Sequence, residues 1–549
     1  MLHRSHRSTP PARVGLGRRR RGAVGGHAMK LRIHDVLALG AAAALGAAGC
    51  ADSGDARGSF AAPADPPGSV GVSQGGAQDF GLFRQILEDG EIPGPDTLDD
   101  VGFFAEHKLD YPAATCGEDV CMHGLLGIMG NMISGSPCTL IQIGMNSPVD
   151  LGALERPPLH LVIAVDTSGS MEGDPIAYVR AGLVEMIDAL QPTDRISLVR
   201  YSDAAEVVLE QAEGSDREAL TEAFEGLTAR GSTNLYEGLF TAYALAEQHL
   251  DPAWQNRVIF LSDGVATAGL TSPQRLVSLA AGYAEKGIGL TAIGVGAEFD
   301  VDAMRGISEV GAGNFYFLED PKAVEEVFAE EVKTFLVPLA LDVELDVAVG
   351  DGYVVRGAYG TNGWQGGERG GAVHIPSLFL AGRTSAAEPV GSGRRGGGGA
   401  ILLELVPKPD QRGVEDPRAV GSLALSWRHP LTGEAHAQEV DIEAPSAPDA
   451  PPEAGYFSGD TVEKGFVMLN LFAGFKLAAQ LAADADPRTA RRTLEALRPN
   501  VEAWLADHPD PDVEDDLRYV DLFIENLIAA EANVQPYTPA DPPNPWPAD

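Results

Sequence analysis

Between Pro158 and Phe335, apolar runs of strand length alternate with amphipathic stretches of helical length, and this alternation constrains the fold more than any other feature. Leu159–Val165 is almost uninterruptedly apolar, as expected of a strand buried on both faces. Further strands are predicted at Arg195–Tyr201, Arg257–Leu261, Ile288–Val295 and Asn314–Leu318. Helices are predicted at Ile176–Leu190, with Asp174 as cap and Pro175 in the first turn, and at Asp216–Leu227, with Ser215 as cap. Leu235–Leu250, Pro273–Lys286, Asp302–Val310 and Pro321–Phe335 complete the set. Such alternation implies an α/β fold with a doubly wound, mainly parallel sheet covered by helices on both faces. In these sheets, sites form at the carboxyl ends of the strands.

The first strand ends in Asp166-Thr167-Ser168-Gly169-Ser170, whose alternate residues offer a carboxylate and two hydroxyls that can converge on one point. Thr233 adds a hydroxyl after Arg230-Gly231-Ser232, and Ser262-Asp263-Gly264 adds a second carboxylate after the strand Arg257–Leu261. All these donors are hard oxygens, a set that selects Mg²⁺, Mn²⁺ or Ca²⁺. Taken singly, such residues cap helices and turn loops; the ordered set of five is what marks a metal site. Leu161–Met171, the Gly231-Ser232-Thr233-Asn234 turn and Leu261-Ser262-Asp263-Gly264 together resemble the three parts of the metal-ion-dependent adhesion site of a von Willebrand factor type A domain. The resemblance covers residues 158–336 and implies a Rossmann-like fold. It also implies that Ser168, Ser170 and Thr233 are hydroxyl ligands, and that Asp166 and Asp263 act directly or through water. One open coordination position would then accept an Asp or Glu of a protein partner.

Outside this domain the signals are of other kinds. The chain has 549 residues, with 40 Lys+Arg against 79 Asp+Glu, a net charge of −39 that argues against nucleic acid or an anionic membrane surface as the main partner. Residues 1–50 read as a leader whose start is expected at Met29, with Lys30 and Arg32 before the apolar stretch Val36–Ala48. Its end, Ala47-Ala48-Gly49-Cys50, resembles a bacterial lipoprotein cleavage box with Cys50 as the lipidated residue, which implies a lipid-anchored protein of the bacterial cell envelope. Residues 51–76, rich in Ala, Gly, Ser and Pro, read as a flexible tether. Of Cys116, Cys121 and Cys138, two are expected to pair outside the cytoplasm, and sequence does not say which.

Residues 77–157 contain Phe80–Pro93, which resembles the extension before the type A domain in one group of bacterial envelope proteins. The insert Cys116–Ser136 interrupts that pattern and is expected to pack as helix against its neighbour. Residues 337–445 alternate apolar and polar at Leu341–Val349, Ala400–Val406 and Ser422–Trp427, predicting a β-sandwich. The run Gly391–Gly399 lacks the phosphate-loop pattern and reads as a hairpin. A linker (446–456) leads to a helical region (457–533), with helices at Val462–Ala483, Pro487–Ala506 and Val513–Ala530, and then to a Pro-rich tail (534–549). Val462–Ala483 is apolar, but Asn470, Lys476 and Gln480 interrupt it, so a buried helix is expected rather than a membrane span. No hydrolase motif is present in the sequence, which points to a binding protein, adhesive or scaffolding, rather than an enzyme.

Overall fold

The computed structural model describes residues 70–533 apart from 75, 78–79, 150–155, 264–265, 296–300, 311–312, 319–326, 329–337, 382–397 and 454. The leader with Met29 and Cys50, most of the tether, Gly264, residues 391–397 of the Gly-rich run and the tail lie outside the described residues, as does all of the Pro321–Phe335 helix but Val327 and Phe328.

Seven strands form one sheet in the order Gly76–Ala77, Asn314–Leu318, Ile288–Val295, Gln255–Ser262, Leu159–Asp166, Arg195–Tyr201 and Ala205–Glu213. Every pairing is parallel except the last. All eight residues of Leu159–Asp166 are buried, as its continuous apolar run requires. Leu161 and Ile163 face one core, with Leu183 of the helix Asp174–Met186 and Phe224 of the helix Arg217–Glu225. Val162 and Ala164 face the other, with Leu239 of the helix Leu235–Gln248, Leu276 of Pro273–Ala284 and Met304 of Val301–Val310. The sheet is therefore doubly wound, as its sequence alternation predicts. One strand is added and two local expectations are corrected. Ala205–Glu213 is an antiparallel edge strand that the sequence does not announce, because an edge exposes both faces and leaves no apolar alternation. Asp216, not Ser215, caps the Arg217–Glu225 helix, accepting from Ala219 N at 3.3 Å. Gly173, not Asp174, occupies the cap before Asp174–Met186, at φ +97°, a conformation open to glycine.

The second layer is a sandwich of two antiparallel sheets. One contains Tyr353–Tyr359, Ala400–Pro407, Pro137–Ser147, Cys121–Gly130 and Tyr456–Phe457. The other contains Trp364–Gly367, Gly370–Leu380, Pro338–Val349, Ala419–Arg428 and Ala435–Glu443. Val70–Gln74 pairs with both, through Val70 and Gly71 on one side and Val72–Gln74 on the other. Ile141, Ile143, Leu403 and Leu405 meet Val343, Leu345, Leu423 and Leu425 in the shared core. The sandwich thus recruits three strands from before residue 158. Val70–Gln74 and Gly76, read as the end of the tether, are strand, and the insert Cys116–Ser136 is a disulfide loop and a strand instead of helix. Glycines hid that strand. A Cβ at Gly124 would meet Leu423 at 2.8 Å and one at Gly127 would meet the Phe457 ring at 3.1 Å, so neighbouring side chains fill the positions where apolar residues would have shown the pattern. The disulfide joins Cys116 to Cys121, and Cys138 is a buried thiol pushed up to about 12, chiefly by burial.

Helices Asp460–Ala483, Pro487–Asp507 and Pro511–Asn533 pack on one another and enclose the N-terminal helices Gly81–Glu88 and Asp100–Ala105. Phe80, Phe83, Phe103, Phe466, Phe475 and Phe523 are buried at their junction. Asp460–Ala483 is long and apolar enough to cross a membrane by length and composition, but 61% of its most apolar window is buried inside the protein. Its polar interruptions have partners there: Asn470 Oδ1 accepts from Met132 N at 2.9 Å, and Lys476 Nζ donates to Pro95 O and Leu98 O at 2.6 and 2.9 Å.

Candidate metal centre

Three loops meet at the carboxyl edge of the seven-stranded sheet. Asp166, the last residue of its strand, is wholly buried and fixed at both oxygens. Oδ1 accepts from Ser168 N at 2.8 Å and Oδ2 accepts from Ser262 Oγ at 2.8 Å. Burial pushes its carboxyl above the ordinary range, against the lowering effect of those hydrogen bonds. Ser168 and Ser170 Oγ lie 3.0 Å apart, and Ser170 Oγ donates to Asp263 Oδ1 at 2.9 Å. The first and third loops are therefore linked through a chain of side-chain oxygens.

The second loop is held by backbone. Arg230 N donates to Thr167 O at 2.6 Å and Gly169 N to Gly231 O at 3.0 Å, which brings Thr233 to the same edge. Thr233 is in turn clamped by Thr267: Thr233 N donates to Thr267 Oγ1 at 2.9 Å, and Thr267 N donates back to Thr233 O at 2.9 Å. Asn234 caps the following helix, accepting from Glu237 N at 3.2 Å. Ser168, Thr233 and Asp263 are nearly buried, at 1%, 4% and 6% exposure, while Gly169 and Ser170 are exposed, so the cluster opens to solvent at one side.

All five oxygen-bearing residues singled out in the sequence thus stand on loops at one edge. Two carboxylates and three hydroxyls, with no thiolate or imidazole among them, fit a hard divalent cation by donor chemistry. Among the described residues no group of three or more His, Cys, Asp or Glu gathers as metal ligands, and this site would rely mainly on hydroxyls. Sequence reasoning missed two supporting residues. Ser262 orients Asp166 and was visible as the neighbour of Asp263; Thr267 stands in a loop of small residues that carries no signal of its role.

Comparison with known proteins bears on the domain that carries these loops. Residues 160–330 match the von Willebrand factor type A domain family. The protein YfbK of Escherichia coli (strain K12) is 26% identical over 287 residues, covering 50% of this chain and 49% of YfbK. The protein sll0103 of Synechocystis sp. is 28% identical over 178 residues, covering 32% of this chain and 41% of that protein. The chain thus matches half or less of the length of these bacterial relatives. A solved von Willebrand factor type A structure from Catenulispora acidiphila aligns with a TM-score of 0.47 at 17% identity, covering 72% of this chain and 89% of that one. What the comparisons show is a von Willebrand factor type A domain over residues 160–330, a part of the chain.

Proposed function

We propose that this protein binds a protein ligand through a divalent cation, Mg²⁺ before Mn²⁺ or Ca²⁺, held by Ser168, Ser170, Thr233, Asp263 and Asp166. The observation that carries the reading is the convergence of the three loops, with Ser170 Oγ 3.0 Å from Ser168 Oγ and 2.9 Å from Asp263 Oδ1. When bound, the cation supplies an electrophilic centre with an open position for an Asp or Glu of the partner. The chain's own residues do the rest: Asp166, fixed by Ser168 N and Ser262 Oγ, orients the first loop, and the Thr267 clamp sets the height of Thr233. Lipidation at Cys50 would place the protein in the bacterial cell envelope, on the membrane by its lipid alone.

The test is isothermal titration of Mg²⁺ and Mn²⁺ into the protein and its Asp166→Ala and Thr233→Ala variants. Saturable binding by the wild type, lost in both variants while each still melts cooperatively, is expected; equal affinity in all three proteins would falsify the site. Capture from envelope extract in Mg²⁺ and in EDTA separates adhesion from scaffolding. A partner held equally in both conditions would move the interaction to the sandwich or the helical region.

A further inference from the structure

The strand Arg195–Tyr201 offers no oxygen to the cluster of five, yet its end touches all three loops that carry them. Tyr201, its last residue, is fully buried and stands level with Asp166 in the neighbouring strand. Its carbonyl accepts from Thr167 N at 2.8 Å and from Thr167 Oγ1 at 3.0 Å, which holds the first loop between Asp166 and Ser168. Its hydroxyl donates to Leu261 O at 2.8 Å, two residues before Asp263. Leu261 lies in the strand on the far side of Leu159–Asp166, so the phenol reaches past that strand, across about 10 Å of sheet from axis to axis. The next two residues hold the second loop. Ser202 O accepts from Asn234 N at 3.0 Å, and Asp203 Oδ1 accepts from Ser232 N at 3.0 Å and from Ser232 Oγ. Thr233 therefore sits between two anchored neighbours. The Tyr201 ring stacks on Phe260 at 5.1 Å and 5°, and a Cβ at Gly238 would meet it at 2.5 Å, so glycine lets the helix Leu235–Gln248 lie against it.

Three of the five donors are neutral hydroxyls, so the rigidity and spacing of the loops weigh heavily in how the site fits an ion. Mg²⁺ demands near-ideal octahedral geometry at about 2.0–2.1 Å, whereas Ca²⁺ accepts more oxygens over about 2.3–2.6 Å. An error in loop spacing therefore costs Mg²⁺ more than Ca²⁺. Resting on the metal reading above, we propose that Tyr201, Ser202 and Asp203 are the positioning element of this centre. They supply no ligand. They act through Thr167, through Ser232 and Asn234, and through Leu261, and they hold the three loops at the spacing that Mg²⁺ requires. The Tyr201 hydroxyl is the longest arm of this element, because it alone joins the first loop's neighbouring strand to the third loop.

The experiment titrates Mg²⁺ and Ca²⁺ separately into the full chain and into Tyr201→Phe, Asp203→Asn and Asp203→Ala, with a thermal melt of each. Tyr201→Phe keeps the ring against Phe260 and Gly238 and loses the bond to Leu261 O. It is expected to weaken Mg²⁺ binding about three- to tenfold and Ca²⁺ binding less than about twofold, while the variant still melts cooperatively. Asp203 is exposed, so its removal also takes away a charge near the second loop. Asp203→Asn keeps an oxygen for Ser232 and so separates charge from position. Asp203→Ala is expected to lower the ratio of Mg²⁺ to Ca²⁺ affinity, and Asp203→Asn to keep that ratio within about twofold of the wild type. Equal losses for the two ions in Tyr201→Phe, or no loss, overturn the positioning role and leave the metal site standing. An Asn variant as weak as the Ala variant assigns the effect to charge and overturns the role of Asp203. The absence of saturable Mg²⁺ binding by the wild type overturns the metal reading, and this inference with it.

Discussion

Two clusters of polar side chains among the described residues are built on opposite principles. At the edge of the seven-stranded sheet, Ser168, Ser170, Thr233 and Asp263 are brought together by loops, and Ser170 is open to solvent. Where the N-terminal segment meets the C-terminal helices, charges are paired and sealed. Glu106, with no exposure, receives Arg84 at two points (2.5 and 3.2 Å) and Phe80 N at 2.9 Å. His107 sits between Phe103 O and Asp516 Oδ2, each at 2.8 Å, and Lys464 bonds Asp510, Asp512 and Lys108 O at 2.7, 3.0 and 2.8 Å. The sealed cluster joins residues more than 350 positions apart and leaves no place for a further ligand at Lys464, whose three donors have three acceptors. One cluster ties distant segments together, and the other opens to solvent at Ser170. Mutations should separate them cleanly.

The largest effect is expected in the sealed cluster. Glu106→Ala strands Arg84 and Phe80 N, and should lower the stability to urea unfolding by about 3–5 kcal/mol, with Mg²⁺ affinity unchanged at temperatures where the variant is folded. A smaller loss together with weaker Mg²⁺ binding would join the two clusters that we separate. Asp166→Ala should do the reverse. It should weaken Mg²⁺ binding at least about 100-fold, worth about 2.7 kcal/mol, while stability without metal falls by less than that. Calorimetric titration and thermal melts on the same samples decide the point.

The disulfide offers an intermediate case. Cys116 and Cys121 are five positions apart and close a small loop before the sandwich strand Cys121–Gly130. Loop closure over so short a stretch suggests that reduction, or replacement of both cysteines by Ser, lowers stability by about 2 kcal/mol. Because the loop belongs to the sandwich and not to the metal edge, Mg²⁺ affinity in dithiothreitol should equal that without it.

The same contrast explains what could be read from the sequence. Apart from the edge strand Ala205–Glu213, the strands between Leu159 and Leu318 were legible because burial on both faces writes continuous apolar runs, and the five metal-edge residues were legible as an ordered motif of loop hydroxyls and carboxylates. The sandwich strand Cys121–Gly130 was not, because Gly124 and Gly127 stand where Leu423 and Phe457 already fill the space. Nothing local marks Glu106 or Asp516 as buried, since their partners are distant in the chain: Asp516 meets His107 409 positions away. Long-range pairing of charges leaves no periodic trace, whereas a loop motif does.

Asp100 is the finest test of the division, because it is a carboxylate in the sealed region with no cation among its causes of shift. It accepts from Gly360 N at 2.6 Å, and burial, reinforced by the neighbouring Asp99, raises its pKa to about 6. A carboxyl whose folded pKa lies above its unfolded value near 3.8 is neutral in the fold while charged in the unfolded chain, so stability falls as pH climbs between those values and the penalty is complete above about 6. Asp100→Asn removes the charge and keeps an oxygen for Gly360 N. It should therefore stabilise the protein by about 1–2 kcal/mol at pH 7 and by nothing below pH 3.8. Melts of both proteins across that range read the difference directly. A gain that is independent of pH would mean that packing, not charge, limits this position. A loss at pH 7 would mean that the ionised carboxylate, held by Gly360 N, is needed there.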